Sequence, residues 1–191
     1  MDYPANLPFE GWTLGFNSKQ IAHVSTFIAI GAVARVGLDQ FAVMSPPLFG
    51  ILIAVGLTET LAFIDGFVYG PMAGFVTGFL IILISDIVVQ PGPWTPFIAA
   101  IIGLLGLVAG TMKRPDRIPT VRLLVVSAVV LTLMSELLQN AWVALFYSLP
   151  IVGVMALGAP TLITALINNL ILFTTLGPKV IKLLQGPAMK R

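Results

Sequence analysis

Six apolar stretches, each near the length that crosses a bilayer and almost free of charge, dominate this chain of 191 residues. A hydrocarbon core about 30 Å thick needs roughly 20 apolar residues in helical form. In lipid, every backbone N–H and C=O must find its partner within the protein, so such stretches fold as helices. They lie at about 20–38, 48–64, 67–89, 96–112, 121–147 and 151–177, the last able to run on to Leu184. Composition agrees, with 58% hydrophobic and 9% charged residues and a mean hydropathy of +1.01. A water-soluble domain carries about 25% charged residues. The expected fold is an all-α integral membrane protein, a six-transmembrane-helix bundle. One membrane domain covers 20–185, preceded by an N-terminal cytoplasmic or interfacial segment (1–19) and followed by a basic cytoplasmic tail (186–191). Segment 1–19 holds Asp2 and Glu10 and no apolar core, so it does not read as a cleavable signal. Its Phe9, Trp12 and Phe16 suit the headgroup layer.

Glycine and proline punctuate the breaks: LDQFAVMSPP (38–47), IDGF (64–67), QPGPWTP (90–96), KRPDRIPT (113–120) and SLP (148–150). The shortest is 64–67, and residues 67–71 could belong to it. The cations then sort by side. With the N-terminus inside, the inner segments hold Lys19, then Lys113, Arg114, Arg117 and Arg122, then Lys179, Lys182, Lys190 and Arg191. The outer segments hold none, and Arg35 alone lies within a span. Basic residues collect on the cytoplasmic side, so both termini are expected in the cytoplasm. This places 38–47, 90–96 and 148–150 together outside. The net charge of +2 follows that topology and gives no reason to expect nucleic acid as a partner.

Small residues mark close helix packing, because in lipid no hydrophobic drive brings helices together and backbones must approach. The third span carries Gly70, Gly74 and Gly78; the fourth carries Ala99, Gly103, Gly106 and Gly110. Such stripes are far more often internal packing than docking faces. The first span offers another small-residue face in Ala22, Ser25, Ala29 and Ala32.

Ionisable groups at membrane depth are expensive, roughly 2.5–3.5 kcal/mol each on insertion scales, so each needs a partner or a use. Arg35 and Asp86 fall near the outer ends of their spans, and Glu136 somewhat outside the middle of the fifth. Glu59, at or below the middle of the second, reads as structural or gating rather than a ligand contact. Thr132, Glu136, Gln139, Asn140 and Tyr147 share one face of the fifth span by three- and four-residue steps. Asn168 and Asn169 sit near the middle of the last. Together these groups could line a cavity open to the outside beneath the QPGPWTPF stretch, whose prolines fix the loop and whose Gln90, Trp94 and Thr95 offer a ring surface and hydrogen bonds. The plainer alternative pairs Arg35 with Asp86 or Glu136, makes the amides interhelical glue and leaves Trp94 as an interfacial anchor.

Catalysis finds no constellation here. The chain has no cysteine and one histidine, His23, which excludes disulfides, thiol catalysis, cysteine- or histidine-rich metal sites and metalloprotease chemistry. Asp65 and Asp86 stand at opposite ends of one span and cannot share a proton as an aspartyl dyad does. No phosphate-binding loop is present. The expectation is a non-enzymatic protein with no metal and no covalently bound cofactor.

At this point the chain resembles the substrate-binding (S) components of energy-coupling factor (ECF) transporters over roughly 20–185. The run DGFVYGPMAGFVTGFLIILISDI (65–87) is similar to that family's glycine-rich lead into the third helix, with an Asp near its exit. PGPWTPFIAAIIGLLGLVAG (91–110) resembles the Gly-Pro-Trp-Thr-Pro loop and fourth helix of the cobalamin or corrinoid branch, although Phe97 departs from its pattern. The resemblance implies a multi-pass protein of a prokaryotic cytoplasmic membrane that captures a vitamin from outside. It implies delivery to a transmembrane coupling subunit shared with two cytoplasmic ATPases. The loop from Asp39 to Pro47 would be the lid, with Phe41 and Met44 covering the ligand. The pocket walls would come from the polar face of helix five, Asn168 and Asn169, and the third-to-fourth loop. Ala22, Ser25, Ala29 and Ala32 would form the face that docks the coupling subunit. A corrinoid is the first expectation for the substrate, with riboflavin or thiamine as alternatives. A membrane scaffold and a self-sufficient carrier are the rival functions.

Overall fold

A computed structural model describes residues 16–44, 56–89, 91–113 and 118–185, with side chains described as far as Gly37 in the first of these segments. The described residues form six helices: α1 (Ser18–Met44), α2 (Leu57–Tyr69), α3 (Pro71–Val89), α4 (Thr95–Thr111), α5 (Val121–Phe146) and α6 (Ile151–Gln185). Four of them contain segments long and apolar enough to cross a membrane, at Ser18–Gly37, Pro71–Val89, Val121–Phe146 and Ile151–Gln185. The α4 helix is 17 residues long and apolar. The α2 helix has 13 described residues, and 51–55, which the sequence reading gives to the second span, lie outside the description. Apolar side chains also coat the exterior, Leu157 at 84% and Leu145 at 80% exposure among them. The chain is an all-α membrane protein.

Local chemistry sets the helix ends. Asn17 and Gln20 close a reciprocal capping box at the start of α1: Asn17 N–H donates to Gln20 Oε1 (3.0 Å) and Gln20 N–H to Asn17 Oδ1 (2.9 Å). Thr120 caps α5 by accepting from Leu123 N–H. Two boundaries differ from expectation. The break expected at 64–67 lies inside α2, and the turn falls at Gly70, whose φ of 112° only glycine adopts readily. Pro71 then opens α3, a position where its missing N–H is not needed. The lid expected over Asp39–Pro47 is continuous helix as far as Met44. The α6 helix passes through Pro160 and Pro178 and reaches Gln185, one residue past the Leu184 to which the sequence lets it run.

Backbone contact binds the centre. A Cβ on Gly78 would stand 2.7 Å from the Ile102 carbonyl oxygen, and one on Gly74 would strike the backbone at Gly106. Gly66 of α2 faces the same Gly106 carbonyl, and Gly110 lies against Gly70 and Pro71. The glycine stripes read from the sequence are therefore the seam joining α2, α3 and α4. Around it, Phe63, Phe67, Ile102, Leu124 and Phe173 form one buried cluster, with Phe63 and Phe173 rings 4.8 Å apart. A second cluster of Val24, Ile28, Leu61, Ala73 and Ile81 fastens α1 to α2 and α3. Buried Thr77 adds a polar tie, donating to Asp65 Oδ2 at 2.5 Å.

The seam makes a direct expectation. Gly106→Ala pushes a methyl into backbone that cannot move aside and should cost about 1–3 kcal/mol. Gly153→Ala, with nothing within 4 Å of its would-be Cβ, should change stability by less than about 0.5 kcal/mol. Thermal unfolding of the detergent-solubilised variants measures both.

Candidate functional site

Arg35, the lone cation in a span, sets the geometry of the site. Its Nη1 forms an ion pair with Asp86 Oδ1 and also donates to Ser85 Oγ, tying α1 to the far end of α3. The second carboxylate oxygen, Asp86 Oδ2, accepts from Thr95 Oγ1 at 2.8 Å, and Thr95 Oγ1 accepts in turn from Gly92 N–H at 3.2 Å. The 91–95 connection is thereby stitched to Asp86. Asp86 is buried and Arg35 half-buried, so two costly charges neutralise one another while the guanidinium keeps some access.

That access opens into a cavity of about 190 Å³ lined by Arg35, Gly56, Thr58, Glu59, Ile82, Ile98, Ile102, Glu136, Gln139 and Thr161. Every one of the six helices supplies part of the wall. Three isoleucines make one apolar side, against which carboxyl, amide and hydroxyl groups converge. Gly56 enters α2 at a φ of 116°, and a Cβ there would sit 2.8 Å from Asn169 Oδ1, so glycine alone suits this part of the wall. Gln139 Nε2 donates to Ser135 Oγ at 2.7 Å, which fixes its amide on the α5 face.

Of the residues singled out from sequence, Arg35, Glu136 and Gln139 meet at this cavity, with Asp86 and Thr95 one hydrogen bond behind Arg35. Others go elsewhere. Asn169 is buried and donates through Nδ2 to Thr132 Oγ1 at 2.7 Å, an α5–α6 link, while its Oδ1 has no partner. Asn168 is half-buried beside Gly56. Asn140 packs its amide on Gly158 of α6. The Trp94 ring folds onto Gly92 of its own connection instead of standing over the cavity. Tyr147 is half exposed, edge-on to Phe146, at the end of an aromatic row that continues through Trp142 to Phe97. Gln90 and the side chains of Asp39, Phe41 and Met44 lie outside the described residues. On α1, Ala22, Ser25 and Ala29 face outward, whereas Ala32 is buried at 6% exposure and is not available to a partner.

Glu59, set aside from sequence as too deep, lines the cavity. The α2 helix begins at Leu57, so Glu59 falls in its first turn and not at mid-span. The signal that locates it is Gly56, a helix-start glycine that a span running from 48 to 64 hides.

The architecture and apolar exterior define an integral membrane protein of the all-helical kind. The chain belongs to the ECF-type riboflavin transporter S component family, whose model matches residues 15–182. No curated protein and no solved structure matches it. Membership makes it a transporter component, which implies a non-enzymatic role, and supports the general S-component resemblance. The family named is the riboflavin one, and the corrinoid branch that PGPWTPF resembles is not the one matched.

The ion pair gives a stability test. Asp86→Leu leaves Arg35 without its carboxylate and should cost about 3 kcal/mol, the low end for a buried pair because Arg35 is partly exposed. The double variant Arg35→Met/Asp86→Leu should recover most of that loss, since well-packed apolar pairs replace buried ion pairs with little penalty. Thermal unfolding of the two variants against the parent measures the difference.

Proposed function

We propose that this protein captures a vitamin at the external side of a prokaryotic cytoplasmic membrane and presents it to an ATP-driven coupling module. The family match over residues 15–182 carries this reading. Six spans with both termini cytoplasmic follow from the placement of Lys and Arg. In that orientation the lining residues, Gly56, Ile98 and Gln139 among them, fall in the outer half of the bundle.

The cavity favours a small flat vitamin over a macrocycle. Ligand sites commonly enclose about 300–1,000 Å³, and this one, at about 190 Å³, lies below that range. A corrinoid needs a wide, shallow mouth. A heteroaromatic ring instead suits a slot with isoleucines on one side and hydrogen-bonding groups at its edges. Riboflavin is the first candidate, in keeping with the family, and thiamine the next. The coupling partner is a transmembrane subunit carried by two ATPases, docked on the outward face of α1 at Ala22, Ser25 and Ala29. Small side chains there allow close approach of a second helix.

Native mass spectrometry of gently extracted protein, followed by titration with riboflavin monitored through flavin fluorescence, tests the proposal. The expected dissociation constant is below about 1 μM, with binding weakened at least tenfold, roughly, by Glu136→Ala through loss of a buried contact. Absence of a co-purifying small molecule, with no sub-micromolar binding of riboflavin, thiamine, biotin or cobalamin, would instead favour a membrane scaffold. Vitamin uptake into liposomes by this chain alone would make it a self-sufficient carrier.

A further inference from the structure

A space of about 190 Å³ is tighter than ligand sites commonly are, so part of the wall has to give way when a ligand enters. Most of the wall is firmly held. The glycine seam joins α2, α3 and α4 backbone to backbone, and the Arg35–Asp86 pair ties α1 to α3. The core cluster grips α5 through Leu124, Ala128 and Leu131, and Thr132 holds Asn169, which fixes α6 from that point inward. The far arm of α6, residues 151–159, is held more lightly. Val154 is its buried residue, and Gly158 meets the Asn140 amide of α5.

The backbone is also weakest around this arm. Pro160 has no N–H to offer the Ala156 carbonyl, and a proline ring inside a helix presses on that same carbonyl. Gly153 meets no neighbour, so unlike the seam glycines it serves no packing. Ser148, at the other end, takes a φ of 53°, a left-handed conformation that costs energy in a residue with a side chain. Thr161, directly after Pro160, stands on the cavity wall. We propose that residues 151–159 form the gate of the cavity, swinging about Pro160 away from α5 to admit the ligand and latching again through Gly158 on Asn140. The inference rests on the cavity being the ligand site and adds the element that controls entry. Opening draws Thr161 off the wall and parts α6 from α5 beside Gln139, the residue before the latch. Closing returns Thr161 to the ligand, so a bound ligand favours the closed arm.

The chain has no cysteine, which makes a disulfide lock clean. A Cβ at position 158 would stand 3.1 Å from Asn140 Cγ, so Asn140→Cys/Gly158→Cys places two thiols within bonding reach. The full chain in lipid nanodiscs is followed with riboflavin by flavin fluorescence. Oxidation should slow both association and dissociation by about tenfold or more, and a reductant should restore the rates. Unchanged rates in protein shown by mass to be cross-linked overturn the inference. A second measurement needs neither the disulfide nor a ligand. In Thr161→Cys, a water-soluble methanethiosulfonate reaches the thiol when the gate opens. Adding Pro160→Ala restores the helical bond to Ala156 and should slow labelling by about fivefold. Equal labelling with and without Pro160 overturns the gate. Failure of riboflavin to bind, with labelling still slowed by Pro160→Ala, removes the flavin reading and leaves the gate standing.

Discussion

Close approach of α3 and α4 at Gly74 and Gly106 is the constraint on which the rest of the molecule depends. In lipid, apolar side chains gain nothing by leaving the tails for another helix, so association must come from packing and polar contacts. With only hydrogen at the seam, three backbones, those of α2, α3 and α4, reach one line of contact through Gly66, Gly74 and Gly106. The connections conform to that line. Gly70 turns α2 into α3 within one residue, and residues 91–94 lead into α4. Larger residues at the seam would spread the helices and draw Asp86 away from Thr95.

Polar contacts then fix what the seam brings near. Asp86 takes two donors, pairing with Arg35 from α1 and accepting from Thr95 at the head of α4, while Ser85 beside it accepts from the same guanidinium. A charge in a span is tolerated when its partner lies at the same depth. Here the pairing leaves the guanidinium half-buried at a cavity instead of sealed in the core. One interaction thus closes the bundle on one side and furnishes the site on the other.

Much of this was legible in the sequence. Apolar length and charge placement gave the helices, the glycine spacing gave the seam, and the rarity of charge at depth offered Asp86 or Glu136 as a partner for Arg35, of which the structure pairs Asp86. What was misread follows one cause, a chain with few polar landmarks. In α2 the polar pair Asp65-Gly66 looks like a turn, yet Asp65 is buried against Thr77 and Gly66 is a packing residue; the turn belongs to Gly70-Pro71. That five-residue error sank Glu59 to mid-membrane and hid its place in the wall. Asn140 shares a face of α5 with Glu136 and Gln139, yet its amide packs on Gly158, and Asn169, picked out by its depth, bonds Thr132; neither periodicity nor depth carries information about the neighbour.

The proline-rich connection between α3 and α4 shows how a residue can serve a site without touching it. Its Trp94 packs onto Gly92 and is not part of the cavity wall, so the stiff connection does not place a ring there. It holds Thr95 at the first turn of α4, where the hydroxyl bonds Asp86 and accepts from Gly92 in the same geometry. Fixing Thr95 fixes Asp86, and fixing Asp86 fixes Arg35. In a wall drawn from all six helices, a small shift of any one helix moves its polar group off the ligand, so preorganisation by a rigid connection lowers the ordering cost of binding. A ligand that bridges all six helices binds the closed bundle and no part of it separately, and so stabilises the fold by mass action. The site and the packing are therefore one system, with the Arg35–Asp86–Thr95 chain as the link between them.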